Sequence, residues 1–293
     1  MYISLSGQLG SGKSTLCAYL NQKKGFEIFS TGTLMRKLAK QKGVSVLEFN
    51  TALTEAGDRV VDGMIDDETR RHAAENVGRD IVFDSRLAWF FVGESFKVFL
   101  TVSPKEAAER VFSGRVLEEE SYVSKEDALK DLIVRRETEI RRFKDFYGVD
   151  CNDYKNYDLI IDTSKLATAE IADIIFSAYA EYNDSRYIKC YINPKNVYPS
   201  KGKKEAEPSG SGDGLVSLIK LKNEFFIYSG RESVKKAIKN GEKIIPARIR
   251  YYDCGALEDG ITIDGLITAR LNDVREWERE NKFEYGYYPH IFT

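Results

Sequence analysis

Histidine is scarce in this chain, and its cysteines are not clustered. The two histidines, His72 and His290, are more than two hundred residues apart. The four cysteines form no C-x-x-C pair and lie at Cys17, Cys151, Cys190 and Cys254. Zinc sites and disulfide frameworks need closely spaced ligands or paired cysteines. Neither is expected here, and a reducing cytoplasm is the predicted location.

Long apolar runs and targeting signals are also missing. No run reaches the roughly 18 apolar residues that a membrane-spanning helix needs. The first seven residues, MYISLSG, have no basic segment followed by an apolar core, so no signal peptide is expected. Hydrophobic residues make up 42% and charged residues 31% of the chain. That balance excludes a disordered or fibrous protein and favours well-packed globular domains without a membrane partner.

The formal charge of −2 conceals a division of the chain into two parts. Up to Ser185 there are 25 basic and 31 acidic residues, a net charge of −6, and beyond it 19 basic and 15 acidic residues give +4. Only Pro104 occurs in the first 190 residues, whereas five prolines follow. A chain of 293 residues suits two domains. We therefore predict domains at 1–182 and 187–293, with a linker near residues 183–186.

Short apolar segments alternate with helical patterns through the first 182 residues. Strands are predicted at 2–6, 26–29, 80–83, 97–100 and 157–161. Helices are predicted at 13–24, 33–42, 46–56, 59–76, after Pro104, at 125–146 and at 168–182. The strand at 97–100 is a short, mainly apolar run of the kind that parallel sheets bury on both faces. The alternation predicts an α/β domain with a five-stranded parallel sheet flanked by helices.

A phosphate-binding motif lies between the first strand and the first helix. Residues 7–14, GQLGSGKS, match G-x-x-x-x-G-K-[ST] in full. In this motif backbone N–H groups and the N-terminus of the helix hold phosphates, the lysine reaches the β- and γ-phosphates, and the hydroxyl binds Mg²⁺. The residues predicted to bind ATP are Gly7, Gly10, Ser11, Gly12, Lys13, Ser14 and Thr15. Lys13 is a predicted catalytic residue and Ser14 a predicted metal ligand.

The motif by itself predicts only nucleoside triphosphate binding, because GTPases, motors and small kinases share it. Three further segments distinguish among these classes. They are STGTLMR at 30–36, FDSRLA at 83–88 and RRETEIRRFKDFYGVD at 135–150. In this order after a P-loop they resemble the cytidylate kinase family of nucleoside monophosphate kinases, particularly its compact archaeal-type branch. The resemblance extends over residues 1–182 and implies a P-loop kinase fold with a helical lid.

The resemblance implies roles for several residues. Arg36 and Arg86 would bind the acceptor monophosphate through their forked guanidinium groups, and Thr31 would lie near its base. The lid arginines would close over the transferring phosphoryl group. Arg136 and Arg142 are the first choices for that catalytic role, and Arg135 and Arg141 are placed with the substrate-binding residues. Each lid arginine has the alternative of pairing with Glu137 or Glu139 on a solvated helix face.

Asp84 fits two mechanisms. It follows an apolar strand, as Mg²⁺-binding carboxylates of P-loop enzymes do. A monophosphate acceptor, favoured as CMP or dCMP, is already ionised at neutral pH and needs no general base. A hydroxyl group of a small metabolite would need one, and Asp84 could then be that catalytic base. Ser85 stands where the family has glycine, and bulky residues follow at 88–91, so a differently shaped acceptor pocket is expected.

The C-terminal part resembles the ParB/sulfiredoxin-like fold over residues 187–252. The resemblance rests on INPKNVYPS at 192–200, FIYSGRESVKKA at 226–237 and NGEKIIPARI at 240–249. It implies a smaller α+β accessory domain in which Arg231 and Ser233 could bind an anion. The basic charge and the tyrosines also allow nucleic-acid binding by stacking, but ordinary strand packing is the favoured explanation. A nucleotide-dependent nucleic-acid-binding or regulatory protein therefore remains a third alternative, and no oligomeric state is predicted.

Overall fold

The computed structural model describes residues 1–44, 49, 60–114, 124–182, 188–200, 215–221, 224–252, 271–285 and 287–288. The predicted linker at 183–186 and nearly all of the helix predicted at 46–56 lie outside these residues. Among the described helices, none combines the length and the apolar character needed to cross a membrane.

A parallel sheet forms the centre of the first part of the chain. Its strands are β1 (Tyr2–Gly7), β2 (Glu27–Ser30), β3 (Ile81–Asp84), β4 (Phe96–Thr101) and β5 (Leu159–Asp162). They lie in the order β2-β3-β1-β4-β5, and every neighbouring pair is parallel. The carboxyl ends of all five strands therefore meet at one edge of the sheet. Loops at that edge are the usual location of a ligand site in α/β proteins.

Helices connect these strands, and their ends follow local capping signals. They are α1 (Lys13–Lys24), α2 (Thr31–Lys42), α3 (Val60–Glu75), α4 (Ala88–Phe91), α5 (Pro104–Gly114), α6 (Lys125–Tyr147) and α7 (Thr168–Ala180). The long helix α6 starts after Ser124, whose side chain accepts a hydrogen bond from the Asp127 amide, and it ends at a left-handed glycine, Gly148. These bounds agree closely with the predicted α/β alternation.

The sheet does not stop at five strands, so the predicted size of the sheet was wrong. Strand β6 (Lys189–Ile192) adds to β5 in parallel, and β10 (Ile245–Tyr252) pairs with β6 in the antiparallel sense. The sheet then continues through β8 (Val216–Leu221), β9 (Glu224–Ser229) and the short β7 (Val197–Tyr198), giving ten strands in the part of the chain that the structure describes. Strand β5 is buried along its whole length and is apolar at residues 159–161. Such a strand would be a poor sheet edge, and pairing with β6 satisfies its outer backbone groups.

One hydrophobic cluster joins the two parts of the chain. It contains Phe99 and Tyr154 from the first part together with Ile192 and Phe226 from the second. Helix α8 (Arg231–Asn240) and helix α9 (Leu271–Asn281) cover the later strands, and Trp277 of α9 is buried in the same cluster. Neither β8 nor α9 was predicted from the sequence. Through this cluster the described later strands share buried side chains with the α/β sheet that they extend.

Candidate phosphoryl-transfer site

The P-loop turns tightly over the carboxyl end of β4. A Cβ atom added to Gly7 would lie 2.6 Å from the carbonyl oxygen of Leu100, and one added to Gly10 would lie 2.9 Å from Cα of Ala107. The side-chain oxygen of Gln8 accepts a hydrogen bond of 2.9 Å from the amide of Val102. The close approach of Leu100 and Ala107 requires glycine at both positions, and the Gln8 hydrogen bond holds the loop at the end of β4. Among the described residues no side chain caps α1, so the amides of its first turn are available to a phosphate.

The lysine and hydroxyl groups of the motif lie at the start of α1. Nζ of Lys13 donates to the carbonyl oxygen of Gly7 at 3.1 Å, so the side chain folds back over the P-loop. Ser14 and Thr15 are exposed, whereas Ser11 is buried in the turn. The motif thus places a flexible cation and exposed hydroxyl groups beside a backbone suited to anions.

Asp84 lies at the carboxyl end of β3, next to the P-loop strand. Its Oδ2 accepts a hydrogen bond of 3.1 Å from the Ser30 hydroxyl, and its carbonyl oxygen accepts one of 3.5 Å from the hydroxyl of Thr31. The pKa of the neighbouring Cys17 thiol is raised to about 12, chiefly by burial and also by the Asp84 carboxylate, while the Lys13 ammonium acts to lower it. Asp84 and Lys13 therefore both act electrostatically on the Cys17 thiol, which lies on α1 just after the P-loop.

The Ser14 hydroxyl and the Asp84 carboxylate are oxygen groups of the kind that a hard cation prefers. Mg²⁺ prefers carboxylate, hydroxyl, phosphate and water oxygens and is usually held by one or two protein groups. Among the described residues no group of three or more His, Cys, Asp and Glu side chains forms a metal cage. Ser14 and Asp84 are the predicted protein ligands, and such a sparse set fits an ion that arrives with a nucleotide.

Two of the predicted arginines line one cleft beside the P-loop. This arginine cleft is lined by Ser6, Gln8, Arg86, Arg136, Cys151 and Asn152, among others. Arg36 is not among its lining residues: it is exposed on α2, and its Nη2 donates to the Thr33 hydroxyl at 2.9 Å. The structure thus brings Arg86 and Arg136 together at the P-loop and leaves Arg36 pointing along its own helix.

The remaining predicted lid arginines lie elsewhere on α6. Arg142 is six positions from Arg136, which places the two about 120° apart around a straight helix. Its guanidinium lies 5.7 Å from the ring centre of Phe146. Arg141 is exposed, and the side chain of Arg135 is outside the described residues. Of the lid arginines, Arg136 is the one that the described geometry places against the P-loop.

Arg110, which the sequence analysis did not single out, connects the P-loop to the loop after β5. Its guanidinium donates to the carbonyl oxygens of Gly10 at 3.4 Å, Thr163 at 2.7 Å and Ser164 at 3.2 Å. The Thr163 hydroxyl in turn donates to the carbonyl oxygen of Ser11 at 2.9 Å. This network fixes the P-loop and the loop after β5 relative to each other. The available signal in the sequence was a polar Asp-Thr-Ser stretch at residues 162–164, which begins at the last residue of β5.

Comparisons with known proteins match the part of the chain that builds this site. Residues 2–165 match the model of the Cytidylate kinase-like family. A cytidylate kinase from Methanothrix thermoacetophila is 36% identical over 165 residues, which are 56% of this chain and 90% of that protein. A solved shikimate kinase from Bacteroides thetaiotaomicron has 15% identity and a TM-score of 0.41, over 62% of this chain and 98% of the other.

A larger protein also matches. An S-adenosylmethionine-dependent nucleotide dehydratase from Lacinutrix mariniflava is 34% identical over 183 residues, or 62% of this chain. The match spans only 36% of that protein, about a third of its length. The family model, by contrast, covers more than half of the 293 residues, and the Methanothrix enzyme is matched almost from end to end. This chain therefore belongs to the Cytidylate kinase-like family.

Proposed function

We propose that this protein transfers the γ-phosphoryl group of ATP to a nucleoside monophosphate, with CMP or dCMP as the favoured acceptor. The observation that carries the proposal is the arginine cleft, where Arg86 and Arg136 meet the P-loop residue Gln8. Two guanidinium groups beside a phosphate-binding loop suit an acceptor that is itself a phosphate. A neutral hydroxyl acceptor would carry no charge for the second of these guanidinium groups to neutralise.

Each residue then has a role in the transfer. The P-loop amides and Lys13 hold the donor phosphates, and Arg86 binds the acceptor phosphate. Arg136 neutralises charge on the equatorial oxygens of the transferring group. Bound Mg²⁺ would neutralise the β- and γ-phosphate oxygens, with Ser14 and Asp84 as its protein ligands. Arg110 keeps the P-loop and the loop after β5 in one arrangement, which preserves the position of the donor.

The test is a coupled ADP-release assay over a panel of nucleoside monophosphates and hydroxyl metabolites. We expect turnover with a pyrimidine monophosphate and a large rise in the acceptor KM for Arg86→Ala. The matched control is Arg279→Ala, since Arg279 is exposed on α9. Turnover of a hydroxyl metabolite with none for any monophosphate would refute the proposal.

A hydroxyl acceptor with Asp84 as base is the second candidate, favoured by the hydrogen bond between Asp84 and Ser30. That bond holds a carboxylate oxygen at the carboxyl edge of β3, where an acceptor would lie. Trp89, which stands in the bulky segment after Arg86, donates its ring N–H to the Arg86 carbonyl oxygen at 3.1 Å. The same panel distinguishes the two candidates.

For the later residues we propose a ParB/sulfiredoxin-like unit at 187–252 within a sequence unit at 187–293, following a kinase unit at 1–182. Its tyrosines support the packing explanation over nucleic-acid binding. Tyr198 is buried and stacks on Tyr285 with ring centres 4.4 Å apart, and Tyr228 meets Tyr251 at 5.1 Å. Salt-sensitive binding of single-stranded DNA or RNA that is lost on removal of residues 186–293 would instead favour the nucleic-acid alternative.

A further inference from the structure

Arg136 lies between two clefts. One is the arginine cleft already described. The other, which we call the glutamate cleft, opens at the carboxyl ends of β4 and β5. Its walls include Gln8, Arg136, Asp162, Tyr198, Glu224 and Tyr287. Gln8 and Arg136 line both clefts, so residues from beyond position 190 reach the same arginine that faces the P-loop.

Glu224 is the acidic residue that β9 contributes to this cleft. Burial raises the pKa of its carboxyl group to about 7, while the Arg136 guanidinium acts to lower it. Burial and Glu224 also raise the pKa of Tyr287, and Arg136 lowers it. Arg136, Glu224 and Tyr287 therefore line the same cleft, and the Arg136 guanidinium is the charge that opposes the effect of burial on both acidic groups.

The other polar groups that face the cleft do not take the place of Arg136. Asp162 is occupied, since its oxygens accept hydrogen bonds from the Ser164 hydroxyl at 2.6 Å and from Nδ2 of Asn196 at 2.7 Å. Burial raises the pKa values of Tyr198 and Tyr285, so both phenols are neutral near pH 7. Lys220, on the adjacent strand β8, lies over the Tyr154 ring at 4.9 Å. In the described part of the cleft lining, Arg136 is the cation that can pair with Glu224.

An arginine needs support if it is to act on a transferring phosphoryl group. Its side chain is long and has many rotamers, and catalysis by a charged group depends on holding it in place before the reaction. The guanidinium has five donors in a planar fork. A carboxylate on one side of the fork can fix its orientation while the other donors remain free for phosphate oxygens.

We propose that Glu224 is a positioning residue for Arg136, and that the later part of the chain thereby completes the phosphoryl-transfer site. The inference rests on the proposed function, because that function places Arg136 at the transferring group. Glu224 touches neither nucleotide and acts only through the Arg136 guanidinium. Its ionised form is the active one.

The first test compares Glu224→Gln with wild type in steady-state kinetics. Misplacement of a catalytic group by about 1 Å can lower the rate up to about a hundredfold, and we expect kcat to fall by about tenfold or more. The KM for ATP should change by less than about threefold, because the P-loop binds the donor. Wild-type kcat should rise through pH 7 as Glu224 ionises, and this rise should be absent in the variant. Glu276→Gln is the matched control, since Glu276 is exposed on α9.

A double-mutant cycle with Arg136→Lys separates positioning from a general structural effect. Because Glu224 acts only through the arginine, Glu224→Gln should have little further effect once Arg136 is replaced. Thermal unfolding of Glu224→Gln should show a midpoint no lower than that of wild type at pH 8. Unchanged or increased kcat in Glu224→Gln, or full additivity in the cycle, would overturn the proposal.

A calorimetric measurement does not depend on the acceptor. Titration of MgATP near pH 7 in two buffers of different ionisation enthalpy gives the number of protons taken up. Phosphate bound near Arg136 adds negative charge that raises the pKa of the Glu224 carboxyl group, so wild type should take up more protons than Glu224→Gln. If this difference is present but no monophosphate is phosphorylated, the proposed function fails and the positioning role stands. Equal proton uptake in both proteins overturns the positioning role alone.

Discussion

The hydrophobic cluster that joins the two parts of the chain predicts that they unfold together. Phe226 on β9 is fully buried in that cluster, with its ring centre 5.6 Å from that of Tyr198. Replacing a buried phenylalanine by alanine typically costs about 3–5 kcal/mol, through lost transfer free energy and the cavity left behind. Because Phe99 and Tyr154 belong to the same cluster, Phe226→Ala should destabilise the P-loop part by the same amount.

The two tryptophans of the chain provide one reporter for each part. Trp89 lies in α4 of the first part and Trp277 in α9 of the second, and both belong to the cluster. Urea unfolding is followed by fluorescence in Trp89→Phe and Trp277→Phe backgrounds. With a slope of about 3 kcal/mol/M, a loss of 3–5 kcal/mol lowers both midpoints by about 1 M or more. Phe112→Ala, at a side chain that is 38% exposed, should change them little.

Coincident transitions that move together are the expected result. If Phe226→Ala lowered only the midpoint seen by Trp277, while the Trp89 signal unfolded at the wild-type urea concentration, the argument from the shared cluster would be refuted. The predicted linker near residues 183–186 would then separate two units that unfold independently.

Four further outcomes are expected. Lys13→Ala should lower phosphoryl transfer by at least about a hundredfold, measured as ADP release. Gly7→Ala should cost about 1–3 kcal/mol of unfolding free energy in urea titrations, because its Cβ would press on Leu100. Arg110→Ala should raise the KM for ATP by about tenfold, since three carbonyl contacts that fix the donor loops are lost. The pKa of Glu224 is about 7 in the folded protein, against an ordinary value of 4.5, so protonation favours the folded state. The free energy of unfolding of wild type should therefore fall relative to that of Glu224→Gln as the pH rises from 5 to 8.

Much of the first part of the fold could be predicted because its signals are local. The helix at Lys13–Lys24 follows the P-loop glycines and ends at Gly25, which adopts a left-handed conformation. The strand β3 is marked by an apolar run that could be recognised without knowing its neighbours. The P-loop match was recognised in the same way, since its chemistry is contained in eight consecutive residues.

The rest depended on contacts between distant residues. The position of Arg110 has meaning only once α5 packs beside the P-loop, a hundred residues away from Gly10. Likewise, nothing in the sequence around Glu224 indicates that it will face Arg136. The length of the sheet could not be predicted because β6 is a short strand whose partner β10 follows more than fifty residues later. Pairing between strands so far apart depends on the fold of the whole chain, and the local sequence pattern gives little indication of it.

The ten-stranded sheet has a consequence for synthesis on the ribosome. Strand β6 can pair with β5 as soon as it emerges, but its own outer edge stays open until β10 has been made, some sixty residues later. At 5–20 residues per second this interval lasts roughly 3–12 s. During that time an apolar sheet carries an unpaired edge that can join the edge of another nascent chain. Truncation after Ile192 would make this exposure permanent, so shortened chains should accumulate as aggregates rather than as free kinase domains.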